Sequence, residues 1–366
     1  MKVGYFSPLP PARTGVADYS AMLIPALREV CEVALCAEDA DICLYQLGNN
    51  LLHRDIYELA LRRPGVAVLH DAVLHHFFLG MLDRDAYVEE FVYNYGEFRR
   101  GHALALWEAR RRSGHDPRYF EYGMLRRVAE RALAVVVHNP AAARIVERHV
   151  PGARVAEIPH LFAAAQEPPA GEIAAWRARH GVAPGMFLFG VFGYLRESKR
   201  LHTVLRAVER ARALGAPAAL LVAGDFVSGD LECALKPMLE APYVLREPHS
   251  SPARFLLLTG AVDACVNLKC PTAGETSGIT IRLMGIGKPV LISEGEENAR
   301  FPRDACVRID PGVAELPMLV EYMVWLTEHP RQAREIGRRA AAHIADHHAP
   351  ARVARAYFEL LSSCCR

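Results

Sequence analysis

Residues 186–212 read MFLFGVFGYLRESKRLHTVLRAVERAR, and this stretch indicates the fold class. An apolar run at 186–191 is followed by a polar loop and by a segment, 201–214, in which apolar residues recur at helical spacing. Continuous apolar strands are typical of parallel sheets that are covered by helices on both faces. The stretch therefore predicts one strand–loop–helix unit of an α/β protein.

The same alternation of strand and helix extends toward both ends of the chain. On the N-terminal side, helices are predicted at 19–30 and 126–131, and strands at 2–7, 32–35, 42–46, 66–70, 134–138 and 155–159. On the C-terminal side, strands are predicted at 219–223, 264–267, 289–293 and 306–309, and helices at 279–286, 313–328 and 331–348. Two such series predict two doubly wound, Rossmann-like domains.

A segment that contains proline and glycine divides the two series. It reads AAAQEPPAGE at 163–172, and such residues interrupt regular structure. A chain of 366 residues also exceeds one ordinary core. We therefore predict an N-terminal domain at 1–165 with a helical insertion at about 74–127, a linker at 166–185, a C-terminal domain at 186–348 and a terminal segment at 349–366.

Composition limits the classes of function. Lys and Arg number 43 and Asp and Glu 42, so the formal net charge is +1, which argues against a broad nucleic-acid-binding face. The nine cysteines lack zinc-binding spacing and are expected to be free thiols in a reducing cytosol. Neither a signal peptide nor an apolar run of about 20 residues is visible, so we expect a cytoplasmic protein.

Three cations lie where the helix at 201–214 begins. Arg196, Lys199 and Arg200 occupy a position at which the helix dipole disfavours positive charge, so an ordinary solvated helix start would more often carry acids. Cations beside helix N–H groups form a compact site for a diphosphate. We favour this anion-binding interpretation over a solvated helix start.

The end of the first strand offers a second candidate for anion binding. Gly15 lies in the loop SPLPPARTGVADYS, where a glycine lets backbone amides approach an anion, and Asp18 is either a helix cap or a polar contact. The loop lacks the G-x-G-x-x-G spacing of nicotinamide or flavin binding and the G-x-x-x-x-G-K-[ST] phosphate loop. A nicotinamide-dependent oxidoreductase is therefore the weakest alternative.

Polar residues also follow the predicted strand at 66–70. His70 and Asp71 are expected at the same mouth as Gly15, where they could bind a sugar hydroxyl or a transferring group. The alternative is a structural histidine that caps the loop. His70, Asp71 and His75 could form a metal site by residue type, but no acidic cluster supports this interpretation.

The loop after the predicted strand at 264–267 contains a further acid. Glu275 could accept hydrogen bonds from sugar hydroxyls, and the alternative is an N-cap carboxylate. Ser277 and Gly278 open the next predicted helix, whose backbone amides could hold the same diphosphate. Arg282 follows about one helical turn later and could face a nucleotide.

Six motifs follow one another along nearly the whole chain: SPLPPARTGVADYS at 7–20, VLHD at 68–71, VVVHNPAAARIVERH at 135–149, IPH at 158–160, GYLRESKRLHTVLRA at 193–207 and GETSGITIRLMGIGKPVLIS at 274–293. In these motifs and in their order, the chain resembles the retaining GT-B glycosyltransferases of family 4. The GETSG form places the chain with one subgroup of the family.

The resemblance implies the GT-B fold, in which two Rossmann-like domains face a deep cleft and a final helix, at about 351–361, crosses back to the first domain. It also implies metal-independent transfer of a hexose-type sugar from a nucleoside diphosphate donor with retention. No cofactor is implied, and UDP and GDP are not distinguished. By similarity, Arg196, Lys199, Gly15, Ser277 and Gly278 would hold the diphosphate, and His70, Asp71 and Glu275 would contact the transferring sugar. The nucleotide-binding role of Arg282 rests on its helical spacing alone.

The chain departs from the usual family pattern in two places. The second glutamate of the usual motif is missing, since Leu283 stands eight positions after Glu275 and Arg282 lies beside it. Tyr194 follows the strand-end glycine where an arginine is usual, so that Arg196 is a displaced substitute. These departures bear on ribose and base recognition.

The acceptor is expected to be a small molecule, a lipid-linked molecule or a glycan, next to the insertion at 74–127. Five arginines make this insertion basic: Arg99, Arg100, Arg110, Arg111 and Arg112. A solvated helix face is favoured over a patch that docks the acceptor or makes weak peripheral contact with the inner face of the membrane. The alternative functions are a nucleotide-sugar epimerase, a phosphorylase and a catalytically silent subunit that binds a glycan or nucleotide.

Overall fold

The computed structural model describes residues 1–12, 14–114, 116–164, 167–248 and 251–365. It contains two six-stranded sheets in which all strand pairs are parallel, with helices packed on both, and this confirms the α/β, doubly wound prediction. The first predicted domain boundary, between 165 and 166, and the last residue, 366, lie outside the described residues. The domain limits therefore stay predictions.

The first sheet has the strand order β2-β1-β3-β4-β5-β6. Its strands are β1 (Lys2–Phe6), β2 (Glu32–Leu35), β3 (Ile42–Leu47), β4 (Val66–Leu69), β5 (Ala134–Val137) and β6 (Val155–Glu157). The helices of this half are α1 (Gly15–Arg28), α2 (Arg54–Arg62), α3 (His75–Met81), α4 (Arg84–Tyr95), α5 (Arg100–Ala109), α6 (Arg118–Glu121), α7 (Arg126–Arg131) and α8 (Pro140–His149).

The second sheet has the order β12-β11-β10-β7-β8-β9. Its strands are β7 (Phe187–Phe192), β8 (Ala218–Ala223), β9 (Val244–Glu247), β10 (Ala264–Asn267), β11 (Val290–Ser293) and β12 (Val307–Ile309). The remaining helices are α9 (Ala170–Arg179), α10 (Leu201–Ala213), α11 (Gly229–Leu239), α12 (Pro252–Ala261), α13 (Gly278–Gly285), α14 (Glu315–Glu328), α15 (Pro330–His347) and α16 (Pro350–Cys364).

Helices α2, α8, α11 and α12 were not predicted individually, and two further differences have a clear physical reason. Helix α1 begins at Gly15 instead of 19, because the Thr14 side chain accepts a hydrogen bond from the Val16 N–H and caps the helix four residues earlier. Strand β9 was not predicted, because its sequence VLRE is short and carries two charges. It nevertheless pairs with β8 and closes one edge of the second sheet.

The last helix, α16, crosses back to the first half of the chain, as predicted. Its buried residues Val353, Ala354, Tyr357 and Leu361 belong to the same hydrophobic core as the strands of the first sheet. The Tyr357 hydroxyl lies 2.9 Å from the hydroxyl of Tyr19 on α1. Helix α16 therefore ties the C-terminal end of the chain to the N-terminal half.

Helices α3 to α7 connect β4 to β5 and cover the region of the predicted insertion. Their core includes buried aromatic side chains, Tyr87, Phe91 and Tyr119 among them. Arg100 forms ion pairs with Glu89 and Glu97, and the Arg110 guanidinium lies 4.4 Å from the Trp107 ring centroid. Within the described ranges, no helix combines the length and the apolar character that crossing a lipid bilayer requires.

Truncation of Tyr357 tests the attachment of α16. The fully buried Tyr357 ring fills the core between α16 and the first sheet, so Tyr357→Ala should lower the free energy of unfolding by roughly 3–5 kcal/mol. Tyr357→Phe keeps the ring and leaves only the Tyr19 hydroxyl unpaired, so it should cost about 1 kcal/mol. Chemical denaturation measures both values. Tyr322→Ala is the control, because Tyr322 is half-exposed. If Tyr357→Ala and Tyr322→Ala lower the free energy of unfolding equally, Tyr357 does not fill the core between α16 and the first sheet.

Candidate functional site

The carboxyl ends of the two sheets face each other, and three hydrogen bonds join them directly. The Ala72 N–H, after β4, donates to the Ala273 carbonyl at 2.8 Å. The Asn139 side-chain amide, after β5, donates to the Gly274 carbonyl at 2.9 Å and the Thr276 hydroxyl at 3.0 Å. Ligands of doubly wound sheets bind at this edge, so the loop at 272–278 and its neighbours form the candidate site.

Glu275 is held in place by neighbours within its own loop. One of its oxygens accepts hydrogen bonds from the Ala273 N–H at 2.7 Å and the Thr272 hydroxyl at 3.0 Å, while the other pairs with the Lys269 ammonium. Burial raises the pKa of Glu275, but the Lys269 charge and these hydrogen bonds outweigh burial and hold it below its ordinary value. Glu275 is therefore ionised at neutral pH.

Ser277, and not Glu275, caps helix α13. The Ser277 hydroxyl accepts a hydrogen bond from the Thr280 N–H at 3.3 Å and another from the Asn267 side-chain amide at 2.8 Å. The N-cap role considered for Glu275 thus belongs to a neighbouring residue, and the Glu275 carboxylate is directed at Lys269 and its own loop.

Lys199 lies beneath the loop that follows β7. Its ammonium donates to the Phe192 carbonyl at 2.8 Å and to the Asn267 side-chain oxygen at 2.9 Å. Burial, and then the charges of Lys269 and Arg196, lower the pKa of Lys199 to about 7. Because Asn267 also holds Ser277, the amide of Asn267 links the Lys199 ammonium to the first turn of α13.

The other two predicted cations occupy different surroundings. Arg196 is exposed, and its charge lowers the pKa of both Asp71 and Lys199, which places Arg196 among the site residues. Arg200 instead pairs with the nearly inaccessible Glu315 of α14 at 2.9 Å. Two of the three cations therefore belong to the candidate site, whereas Arg200 stabilises the packing of α14.

Asp71 follows β4 of the first sheet and faces Glu275, which belongs to the second half of the chain. The Asn49 N–H donates to its carboxylate at 2.9 Å. Burial, and then the charge of Glu275, raise the pKa of Asp71 to about 6, although Arg196 and Lys269 act in the opposite direction. The two sheets thus bring together two carboxylates with opposite pKa shifts, a pattern found at functional sites.

His70, which precedes Asp71 in the chain, lies in a cluster of aromatic rings. Its Nε2 lies 2.8 Å from the Gln46 side-chain oxygen, and its ring centroid lies 4.8 Å from that of Tyr19 and 5.0 Å from that of His138. Burial lowers the pKa of His70 far below its ordinary value, so the imidazole is neutral. With Gln46 as acceptor, Nε2 carries the proton.

The sequence prediction missed three residues of this region. Lys269 could have been found as a cation two residues after the end of β10. His138 follows β5 as His70 follows β4, and it donates through Nδ1 to the Ile158 carbonyl at 2.8 Å. His160 lies beside α13, since a Cβ on Gly278 would be 3.3 Å from its Nε2. A glycine at 278 therefore allows the close approach of the two halves.

Gly15 and Arg282 lie at the mouth of the cleft. Gly15 is the first residue of α1, and a side chain there would meet no neighbour within 4 Å. Asp18, in the first turn of the same helix, accepts a hydrogen bond at 2.9 Å from Arg282 on α13. Both side chains are partly exposed, so this ion pair spans the two halves at the surface.

The metal interpretation gains no geometric support in the described part of the chain. No group of three His, Cys, Asp or Glu side chains there is arranged as a metal site. His75 is instead buried among the insertion helices, where its Nε2 lies 2.7 Å from the Tyr87 hydroxyl. The nine cysteines are all free.

Replacing Asp71 with Asn should change how stability depends on pH. Because burial raises the pKa in the folded protein, the stabilising contribution of the protonated carboxyl is complete below about pH 4 and is lost as pH rises through about 6. Relative to wild type, Asp71→Asn should therefore gain roughly 1–3 kcal/mol of unfolding free energy between about pH 4 and about pH 8. Urea denaturation across this range measures the gain.

The control for this measurement is Asp39→Asn. Asp39 is an exposed carboxylate whose pKa is lowered, first by a hydrogen bond and then by the charge of Lys2, so its removal should give no such gain as pH rises. A constant difference between wild type and Asp71→Asn at every pH would show that Asp71 titrates normally.

Comparison with known proteins places the fold. No family model and no curated protein matches the chain. Among solved structures, Anabaena Alr3699/HepE in complex with UDP-glucose has a TM-score of 0.70 and 15% identity, over 99% of this chain and 100% of that one. Sucrose-phosphate synthase (tll1590) from Thermosynechococcus elongatus gives a TM-score of 0.70 and 14% identity over 99% and 98%.

A third solved structure agrees with these two. WaaG, a glycosyltransferase involved in lipopolysaccharide biosynthesis, has a TM-score of 0.62 and 12% identity over 97% of this chain and 98% of its own. Likeness at such low identity establishes architecture. The chain has the GT-B fold, in which two Rossmann-like domains face a deep cleft.

Proposed function

We propose that this protein is a metal-independent hexosyltransferase that moves a sugar from a nucleoside diphosphate donor to an acceptor with retention of anomeric configuration. One observation carries the proposal. Lys199, Arg196 and Lys269 gather beside the first turn of α13, next to the carboxylates of Glu275 and Asp71, where the two sheets face each other. The UDP-glucose in the HepE complex supports a nucleoside diphosphate sugar as the donor class.

The diphosphate of the donor is the leaving group in this proposal. Lys199 and Arg196 counter its charge, while the backbone N–H groups at Ser277 and Gly278 face it at the start of α13 and Gly15 approaches from the first domain. Such charges cost no reorganisation during the reaction, because Lys199 is already held by the Phe192 carbonyl and Asn267.

Transfer then breaks one bond and forms another at the anomeric carbon. The bond to the diphosphate oxygen breaks through an oxocarbenium-like state, and the acceptor oxygen bonds on the same face. The acceptor proton passes to an oxygen of the departing diphosphate. His70, which is neutral, and Asp71 contact the transferring sugar, while Glu275 accepts hydrogen bonds from its hydroxyls.

Arg282 and the insertion helices complete the proposal. Arg282 contacts the nucleotide, and to do so it would leave its ion pair with Asp18.

Helices α3 to α7 shape the acceptor side. His76 of α3 lies close enough to Arg196 for the arginine charge to lower the pKa of His76, after the larger effect of burial. The acceptor class is a small molecule, a lipid-linked molecule or a glycan, with weak peripheral contact at the inner face of a membrane for a lipid-linked one.

A ligand screen followed by a turnover assay tests the proposal. UDP and GDP are compared by thermal shift, and the matching nucleotide sugars are then assayed for hydrolysis and for transfer to an acceptor panel, with and without EDTA. Transfer that EDTA leaves unchanged, with an NMR spectrum showing the donor's anomeric configuration in the product, supports it. Epimerised donor, dependence on free phosphate, or nucleotide binding without turnover would replace it with an epimerase, a phosphorylase or a silent binding subunit.

Removing the Lys199 ammonium should impair turnover more than binding. Lys199→Ala should lower kcat about a hundredfold, because the charge that develops on the diphosphate loses its buried partner, and should weaken UDP binding about tenfold. Calorimetry and a UDP-release assay measure the two effects. Lys199→Met, which keeps the volume of the side chain, separates charge from packing.

Lys236→Ala is the matched control for charge, since Lys236 is an exposed lysine of the same half of the chain. Its binding and turnover should equal those of wild type. Wild-type turnover in both Lys199 variants, with UDP binding unchanged, would remove Lys199 from the site.

A further inference from the structure

Asn139 contacts the loop of Glu275 from the opposite domain. Its side-chain amide nitrogen donates to the Gly274 carbonyl at 2.9 Å and to the Thr276 hydroxyl at 3.0 Å. Gly274 and Thr276 stand directly before and after Glu275, and Asn139 is almost completely buried. One amide group on the first domain therefore forms hydrogen bonds to the residues on both sides of Glu275 in the loop of the second domain.

The orientation of this amide is fixed by its second role. Asn139 is the N-cap of α8, and its side-chain oxygen accepts a hydrogen bond at 2.8 Å from the Ala142 N–H. Because an oxygen must face that N–H, the amide nitrogen necessarily faces Gly274 and Thr276. The cap thus holds the two amide hydrogens toward the other domain.

The loop fits closely against the first domain at the same place. Ala72, the residue after Asp71, donates a hydrogen bond from its N–H to the Ala273 carbonyl. Gly274 has a φ of +70°, and a Cβ there would lie 2.9 Å from the Ala72 Cβ and 3.0 Å from a methyl carbon of Ile145. Only glycine permits both this backbone conformation and this approach.

The ion pairs between the two halves are more exposed. Arg144 pairs with Glu296 and Arg300 with Glu157, but both arginines are largely accessible to solvent. Exposed ion pairs contribute little to stability, because water screens them. Separating the domains would remove both acceptors from the buried Asn139 amide, and the loss of these buried hydrogen bonds should cost more free energy than the loss of the exposed ion pairs.

We propose that Asn139 is a positioning residue that couples contact between the two domains to the placement of Glu275. With the domains together, Gly274 and Thr276 are held from across the cleft, and Glu275 is presented beside Asp71. With the domains apart, Glu275 keeps its contacts to Thr272, Ala273 and Lys269, but Gly274 and Thr276 on either side of it lose the Asn139 amide. The inference rests on the proposed function for the role of Glu275. The clamp itself, by which we mean the two hydrogen bonds from the Asn139 amide to Gly274 and Thr276, is a property of the fold.

Asn139→Ser separates the clamp from the cap. Serine still offers an oxygen to the Ala142 N–H, but it lacks the amide that reaches Gly274 and Thr276. The variant should keep nearly the melting temperature of wild type, while kcat for UDP-glucose falls about tenfold or more and KM changes less than about threefold. Asn139→Ala, which loses both functions, gives the additional cost of the cap.

Thr276→Val supplies the matched partner variant. It removes one of the two acceptors of the Asn139 amide and leaves Gly274 in place, so its loss of kcat should be smaller. Because both substitutions break the same hydrogen bond, the double variant Asn139→Ser/Thr276→Val should lose less than the two single losses combined. Additive losses, or a wild-type kcat in Asn139→Ser, would overturn the proposal.

Hydrogen exchange tests the clamp without any donor sugar. The backbone amides of 274–278 should exchange about tenfold faster in Asn139→Ser than in wild type, while those of β7 stay unchanged. Unchanged exchange at 274–278 overturns the clamp, whatever the enzyme's activity. Faster exchange in Asn139→Ser, together with a wild-type protein that neither binds UDP nor hydrolyses UDP-glucose, would keep the clamp and refute the proposed function instead.

Discussion

Placing positive charge inside a protein costs free energy unless polar groups replace the lost water, and this requirement organises the cleft around Lys199. The ammonium is supported by the Phe192 carbonyl at the end of β7 and by Asn267 at the end of β10. Asn267 in turn donates to Ser277 and Thr280 at the start of α13. The solvation of one cation thereby fixes two strand ends and a helix relative to one another.

Much of the fold was predictable because the strands are buried on both faces and read as uninterrupted apolar runs. β4, β5 and β7 are of this kind, and the sequence prediction located each of them within one or two residues. β9 is not, because it lies at the edge of the sheet, where charged residues are tolerated. The early start of α1 depended on a cap by Thr14, which the prediction took for part of the loop.

The candidate site was predictable in outline for a related reason. Parallel strands end at one edge, so residues such as Asp71 and Glu275 that follow different strands were expected in one cleft. The pairing of individual charges was not predictable, since it depends on how the two halves meet. Arg200 is the clearest example, because its partner Glu315 lies 115 residues away on α14.

The return of the chain through α15 and α16 has a mechanical consequence. The polypeptide passes between the domains twice, once near Phe162 and once near His348, and these passages are joined where the Phe162 N–H donates to the His348 carbonyl at 2.9 Å. His348 also donates through Nδ1 to the His160 carbonyl. These two adjacent segments of the chain, which are hydrogen-bonded to each other, connect the domains at one place. Displacement of one domain relative to the other is therefore expected to be smallest beside these two crossings, because two chain segments and a hydrogen bond restrain the same place.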